Sequence, residues 1–198
     1  MGFIETVPEE HASGAVAEIY AEDRSASGTV PNYTRAFSLR PEVYTAWKAL
    51  ADAVRDGMER RRYELATVAA ARRPRSSYCM LADGSVLVER FLEPDELRAV
   101  VTDHRAAGLD AVDVAVMDLA EKLAEDATRV TQADVDGLRA LGLSDTEITD
   151  VVLAAALRCF FTKVLDGLGT QPDPDYTDTV GPALRELLTV GRPIAERS

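Results

Sequence analysis

The chain is short of basic residues, of histidine, of cysteine and of long apolar runs. Its 198 residues carry 22 Lys and Arg against 34 Asp and Glu, a formal net charge of −12. That deficit argues against a nucleic acid or an anionic membrane surface as partner, because phosphate is bound through Lys and Arg. The longest uninterrupted apolar run, Val151 to Leu157, falls far below the roughly 20 residues that a spanning helix needs. The opening Met1-Gly2-Phe3-Ile4-Glu5-Thr6 has no basic stretch ahead of an apolar one, so no secretory leader is expected. The two cysteines, Cys79 and Cys159, stand too far apart and are too few to build a disulfide framework, and a reduced, cytoplasmic setting is the default expectation. The two histidines have no metal-ligand spacing to other donors. His11 belongs to an N-terminal arm, and His104 continues an apolar stripe as a satisfied, half-buried ring. Asp173, Asp175 and Asp178 lack the glycine and terminal glutamate of a calcium loop and are expected to be solvated. There is no glycine-rich phosphate loop. Neither a metal nor a cofactor is therefore expected.

What remains is a globular composition, 46% hydrophobic and 28% charged, in a length that suits one domain. The periodicity predicts an all-α fold: an N-terminal arm over about residues 1–40, a core over about 41–169 and a tail over about 170–198. Pro41 opens a helix whose apolar face repeats at Val43, Trp47, Leu50 and Val54 and which stops near Gly57. An alanine-rich helix over 59–73 is interrupted by Pro74, and a second runs from Ser76 or Ser77 to Phe91, so the two form a helical hairpin. Pro94 starts another that ends at Gly108, and 111–126 carries one apolar stripe. Thr131 and Ser144 read as caps ahead of two more. The last, over about 145–167, is apolar almost all round between Val151 and Phe161, which places it at the centre of the domain or at a subunit interface. The stripe Ile148, Val152, Ala155, Cys159 makes Cys159 a core cysteine. The end beyond Pro193 is expected to fray.

The chemistry-bearing segment is the hairpin. Glu64 lies in its alanine-rich first helix, where an ionisable group is costly unless paired. Ser76 follows after eleven residues, then Cys79, and Asp83 stands one helical turn beyond the thiol. Ser76 is equally explained as a helix N-cap, and Asp83 as a solvent-facing residue beside Gly84. Cys79 in the first turn of its helix gains from the dipole, and Arg72, Arg73 and Arg75 lie just upstream; Glu64 and Asp83 act against a thiolate by like charge.

This spacing resembles the alkylhydroperoxidase D and carboxymuconolactone decarboxylase family, whose peroxidase branch is marked by a Glu, eleven residues, and then Cys-x-x-Cys-x-x-x-His. Gly28-Thr29-Val30-Pro31-Asn32-Tyr33, Arg40-Pro41-Glu42 and Phe160-Phe161 through Leu165-Asp166-Gly167-Leu168-Gly169 resemble its peroxidase-related branch. The resemblance implies an alkylhydroperoxidase D-like helical bundle with the site on the central hairpin. Glu64 matches the family's Glu, and Cys79 matches the second cysteine, the thiol implied to attack peroxide. Ser76 stands where the resolving cysteine belongs and Asp83 where the relay histidine belongs.

Three functions follow from it. One is a thiol-dependent, peroxidase-type oxidoreductase with antioxidant activity that works with one cysteine, Ser76 bonding to the sulfur. It takes a peroxide as its small-molecule substrate and is resolved by an external thiol reductant rather than by Cys159. The second is a decarboxylase-like enzyme acting on a small organic acid or lactone through Glu64 and Asp83. The third is a non-catalytic binding homologue. The resemblance also implies a homo-oligomer, a trimer, hexamer or dimer.

Overall fold

The computed structural model of the protein describes residues 2–197. Among them are eleven α-helices and no strand: α1 (Gly14–Ser27), α2 (Asn32–Ala36), α3 (Pro41–Asp56), α4 (Arg60–Arg72), α5 (Ser77–Arg90), α6 (Pro94–Asp103), α7 (Ala111–Asp126), α8 (Gln132–Ala140), α9 (Asp145–Gly167), α10 (Tyr176–Thr179) and α11 (Pro182–Leu188). None of the described helices is long and apolar enough to cross a membrane.

The hairpin is the middle of the molecule. Glu59 caps α4 by accepting from the backbone N–H groups of Arg61 and Arg62 at 2.9 and 2.8 Å. Every residue from Tyr63 to Ala71 is then buried. A helix buried on all sides needs small side chains where neighbours press closest, and the alanines at 66, 69, 70 and 71 let α5, α7 and α9 approach it together. The central position thus belongs to α4. Helix α9 flanks it with its apolar surface split, since Leu153 and Phe160 remain 43% and 44% exposed. Cys159 is half-buried rather than in the core, because the stripe that carries it faces the interior only in part.

Capping chemistry sets the other boundaries. Thr131 and Ser144 head capping boxes with Asp134 and Glu147, and Glu93 forms a third with Glu96. Helix α6 stops at Asp103, short of the expected Gly108; the intervening residues form a turn that Gly108 closes at φ 78°.

The C-terminal tail is a strap over the hairpin. The α4–α5 turn holds Arg75 in the left-handed region at φ 59°. Its Nε donates to the Val190 carbonyl at 2.9 Å, while the Gly191 N–H donates to Ser77 Oγ at 2.7 Å. Leu188 packs on Gly84. Instead of fraying, the chain stays bonded as far as Ala195, whose N–H reaches the Pro172 carbonyl at 2.9 Å. The expectation that the aspartates of 173–178 are all solvated fails at Asp173, which accepts from the Asn32 N–H at 2.8 Å and from the Tyr78 hydroxyl. Residues far apart in sequence thereby tie both ends of the chain to α5.

At Gly191 a side chain has no room, since a Cβ would fall well inside contact with the Arg75 carbonyl oxygen. At Gly84 it would meet only the movable tip of Leu188, at 2.9 Å. Gly191→Ala is expected to cost about 1–3 kcal/mol of stability, the range of an overpacked core, and Gly84→Ala less than that. Urea unfolding of the two variants measures the order.

Candidate functional site

Cys79 is the third residue of α5, one turn before Asp83, and the two side chains share a face of the helix. Both are enclosed: Cys79 is 1% exposed, Asp83 4% and Glu64 2%. The solvent-facing reading of Asp83 is thereby excluded, and Glu64 is the buried ionisable group that its alanine-rich helix implied. The partner of Asp83 comes from α9, where Arg158 Nη2 donates to Asp83 Oδ1 at 2.8 Å. The charge of the same guanidinium acts on the Cys79 thiol and favours its anion. Glu64 pairs within its own helix with Arg60, Nη2 to Oε1 2.7 Å. Tyr63 from α4 and Tyr176 from α10 complete the enclosure, each within the field of Asp83.

Burial dominates the electrostatics. It pushes the Cys79 thiol up to about 11, with Asp83 adding to the rise and Arg158 and Ser76 opposing it. Burial also lifts the Asp83 carboxyl to about 7; Arg158 pulls against that rise, and Glu64 adds to it. Glu64 is raised for the same reason, against Arg60 and Arg158. Arg158 pays the desolvation that works against its charge, and Asp83 outweighs it, so the guanidinium stays protonated. The result is a thiol that is neutral at physiological pH beside a carboxyl that titrates near neutrality, an arrangement suited to moving a proton.

Ser76 sits at the N-cap position of α5, yet its side chain makes no capping bond. Its hydroxyl is buried without a hydrogen-bond partner, close enough to Cys79 and Asp166 to favour their anions. Seven buried side-chain polar atoms among the described residues have no hydrogen-bond partner, and four of them are Arg60 Nε, Ser76 Oγ, Asp83 Oδ2 and Arg158 Nε. Buried polar atoms are nearly always satisfied, so these four atoms are unused hydrogen-bonding capacity among the buried groups of the site.

Of the residues named from sequence, Cys79, Asp83 and Ser76 come together on α5, with Glu64 facing them from α4. The upstream arginines do not join them. Arg72 donates to the Thr102 carbonyl at 3.2 Å, Arg73 pairs with Glu121 at 2.9 Å, and Arg75 holds the C-terminal strap. The cation of the site is Arg158, which sequence reasoning missed. Its signal was present: it is the one charged residue between Val151 and Phe161. The sequence also gave no hint of a donor cluster around His104. In the fold, one ligand atom each from His104, Asp118 and Glu121 lies within 4.8 Å of the others, which corrects the expectation that no such group exists. Arg105 and Arg73 already neutralise the two carboxylates, and His104 is fully enclosed rather than half-buried, with Nε2 2.7 Å from Asp118 Oδ1.

No protein-family model matches the chain, and no curated protein matches it in sequence. Solved structures do. The alkylhydroperoxidase AhpD core of an uncharacterized peroxidase-related protein from Ralstonia eutropha JMP134 superposes with a TM-score of 0.80 at 21% identity, over 88% of this chain and 94% of that one. The chain has the alkylhydroperoxidase D-like fold. A peroxidase-related protein from Silicibacter sp. TM1040 gives a TM-score of 0.75 at 21% identity, covering 88% and 91%. The debrominase Bmp8, in a cysteine-to-alanine variant complexed with 2,3,4-tribromopyrrole, gives 0.76 at 11% identity, covering 94% and 100%. The all-α bundle with a central hairpin, expected from sequence, is thus the observed fold, and Cys79, Asp83 and Arg158 lie at the heart of it.

The raised carboxyl makes stability depend on pH in a defined direction. Between the ordinary aspartate value of 3.8 and about 7, folded Asp83 keeps a proton that the unfolded chain has lost. Its contribution therefore favours folding in acid and is lost as pH rises through about 7. Asp83→Asn stays neutral throughout. Its stability relative to the native protein is expected to climb between about pH 4 and pH 7 and to level off above; urea unfolding at stepped pH tests this, and a flat or falling difference contradicts it.

Proposed function

We propose that the protein is a thiol-dependent oxidoreductase that reduces a small peroxide at Cys79. The observation that carries this reading is the burial of one thiol one helical turn from a carboxyl that burial raises toward neutrality and that a guanidinium holds at 2.8 Å. The Cys79 S–H gives its proton to the Asp83 carboxylate, while Arg158 stabilises the thiolate. The sulfur attacks one peroxide oxygen, the O–O bond breaks, and the leaving oxygen takes the proton back from Asp83. Sulfur is oxidised to sulfenic acid and the peroxide is reduced to an alcohol or water. Ser76 has no sulfur, so an external thiol resolves the sulfenic acid to a mixed disulfide with loss of water, and a second thiol restores Cys79. Glu64 stays paired with Arg60 and sets the field on Asp83. The enclosure of Cys79 favours a substrate of peroxide size over a bulky one.

Self-association belongs to the same reading. Leu153 and Phe160 on α9 and Leu50 on α3 are exposed apolar side chains on two helices that pack together, a surface suited to a second copy of the chain.

The test is peroxide consumption in the presence of a small dithiol. Cys79→Ser is expected to abolish it, and Asp83→Asn to slow it by about 10²-fold or more, the usual weight of a proton-transfer group. Running 2,3,4-tribromopyrrole beside the peroxide asks whether the same thiol serves the electrophile bound by Bmp8. Turnover of a small acid or lactone that survives Cys79→Ser but not Glu64→Gln would replace this reading with carboxylate acid–base chemistry. Absence of any Cys79-dependent reaction would leave the binding homologue.

A further inference from the structure

Arg158 and Asp83 are joined at 2.8 Å inside the protein, with side chains only 11% and 6% exposed. With the carboxylate ionised the pair is neutral; with the carboxyl protonated it carries +1. A single imidazole has those same two charge states. The remaining charges around Asp83 leave that balance intact. From α4, Glu64 and Arg60 form their own ion pair, and Tyr63 is neutral; on α5 itself the neighbour is the Cys79 thiol; from α10 comes Tyr176, also neutral. We propose that Asp83 and Arg158 work as one proton carrier, equivalent in charge to an imidazole, in which Arg158 is the positioning residue that sets when Asp83 takes up or gives back the Cys79 proton. The proposal rests on the reading of Cys79 as the nucleophile.

Geometry gives it content beyond a structural ion pair. Arg158 leaves α9 from within its apolar stretch, bonds only one of the two oxygens of the acceptor carboxyl, and lies near enough to the donor thiol to act on its charge. The other, Oδ2, is buried without a partner and remains available for the proton. In the transfer the S–H bond breaks and an O–H bond forms on Asp83, so total charge is conserved while Arg158 stays protonated. Without Arg158 a buried carboxylate has no counter-charge, and the carboxyl stays protonated at neutral pH, where it cannot accept.

The experiment follows the NMR shift of the isotope-labelled Cys79 β-carbon against pH, in a Cys159→Ser background that leaves one thiol. The native pair is expected to give a step near neutrality, well below the titration of the thiol itself, and Asp83→Asn to remove it. Arg158→Lys keeps the charge and should hold the step within about half a pH unit, whereas Arg158→Gln should raise it by about one unit or more. Asp83→His places an imidazole beside the remaining guanidinium and should titrate at least about one unit below the ordinary histidine value of about 6.5. The double variant Asp83→His with Arg158→Gln restores the two charge states and should return the step toward its native position. A step that Arg158→Gln leaves unmoved, or a double variant no nearer the native value than either single one, overturns the proposal. If Arg158→Gln does not fold, Asp83→His decides alone: titration at or above the ordinary histidine value overturns it. Failure of the peroxidase reading has a separate signature, the absence of sulfenic acid on Cys79 after peroxide treatment, and leaves these titrations interpretable.

Discussion

A guanidinium buried 2.8 Å from a buried carboxyl is the constraint around which the rest is arranged. An isolated charge in such a place is far too costly to keep, and a pair is tolerated only when geometry is good and each partner is held. Holding Arg158 requires α9 to run beside the hairpin, and holding Asp83 requires α5 to turn the same face inward as Cys79. The alanine-lined α4 makes this feasible, because small side chains let α5 and α9 approach from two sides at once. The packing that stabilises the bundle is thus also what strips water from the thiol and its neighbours.

That dehydration has a chemical consequence. In water an aspartate is ionised at physiological pH but too weak a base to hold a proton, and a thiol is mostly protonated. Enclosed together, the thiol moves away from reactivity and the carboxyl moves into the range where it can exchange a proton. The guanidinium opposes both shifts and keeps the pair within reach of each other. The C-terminal strap, laced to the α4–α5 turn through Arg75 and Gly191, and Tyr176 beyond it preserve the enclosure. Loops and tail therefore bear on the site as directly as the helices do.

Much of the fold was legible in sequence because its signals are local. Pro41, Pro74 and Pro94 mark helix boundaries, the Thr131 and Ser144 boxes mark two starts, and 41–56, 111–126 and 145–167 match the observed helices. The hairpin spacing from Glu64 to Asp83 was equally legible, since a helical turn places Cys79 and Asp83 on one face whatever surrounds them. The order of burial was not. Apolar content alone placed 145–167 at the centre or at a subunit interface, yet small residues rather than large ones admit the most neighbours, and α4 took the central position. Arg72, Arg73 and Arg75 looked like the site's positive charge through nearness in sequence, but a helix end and a tight turn direct them elsewhere.

Sequence by itself determined the helical elements and the placing of one thiol and one carboxyl on a face of the hairpin, because these depend on spacing along one chain segment. Only the tertiary structure decided which cation meets them, whether Glu64 and Asp83 are dry, and where the tail lies. Those depend on contacts between segments that no local pattern encodes: Arg158 meets Asp83 because two helices pack, and the protonation of both follows from the water that packing removes.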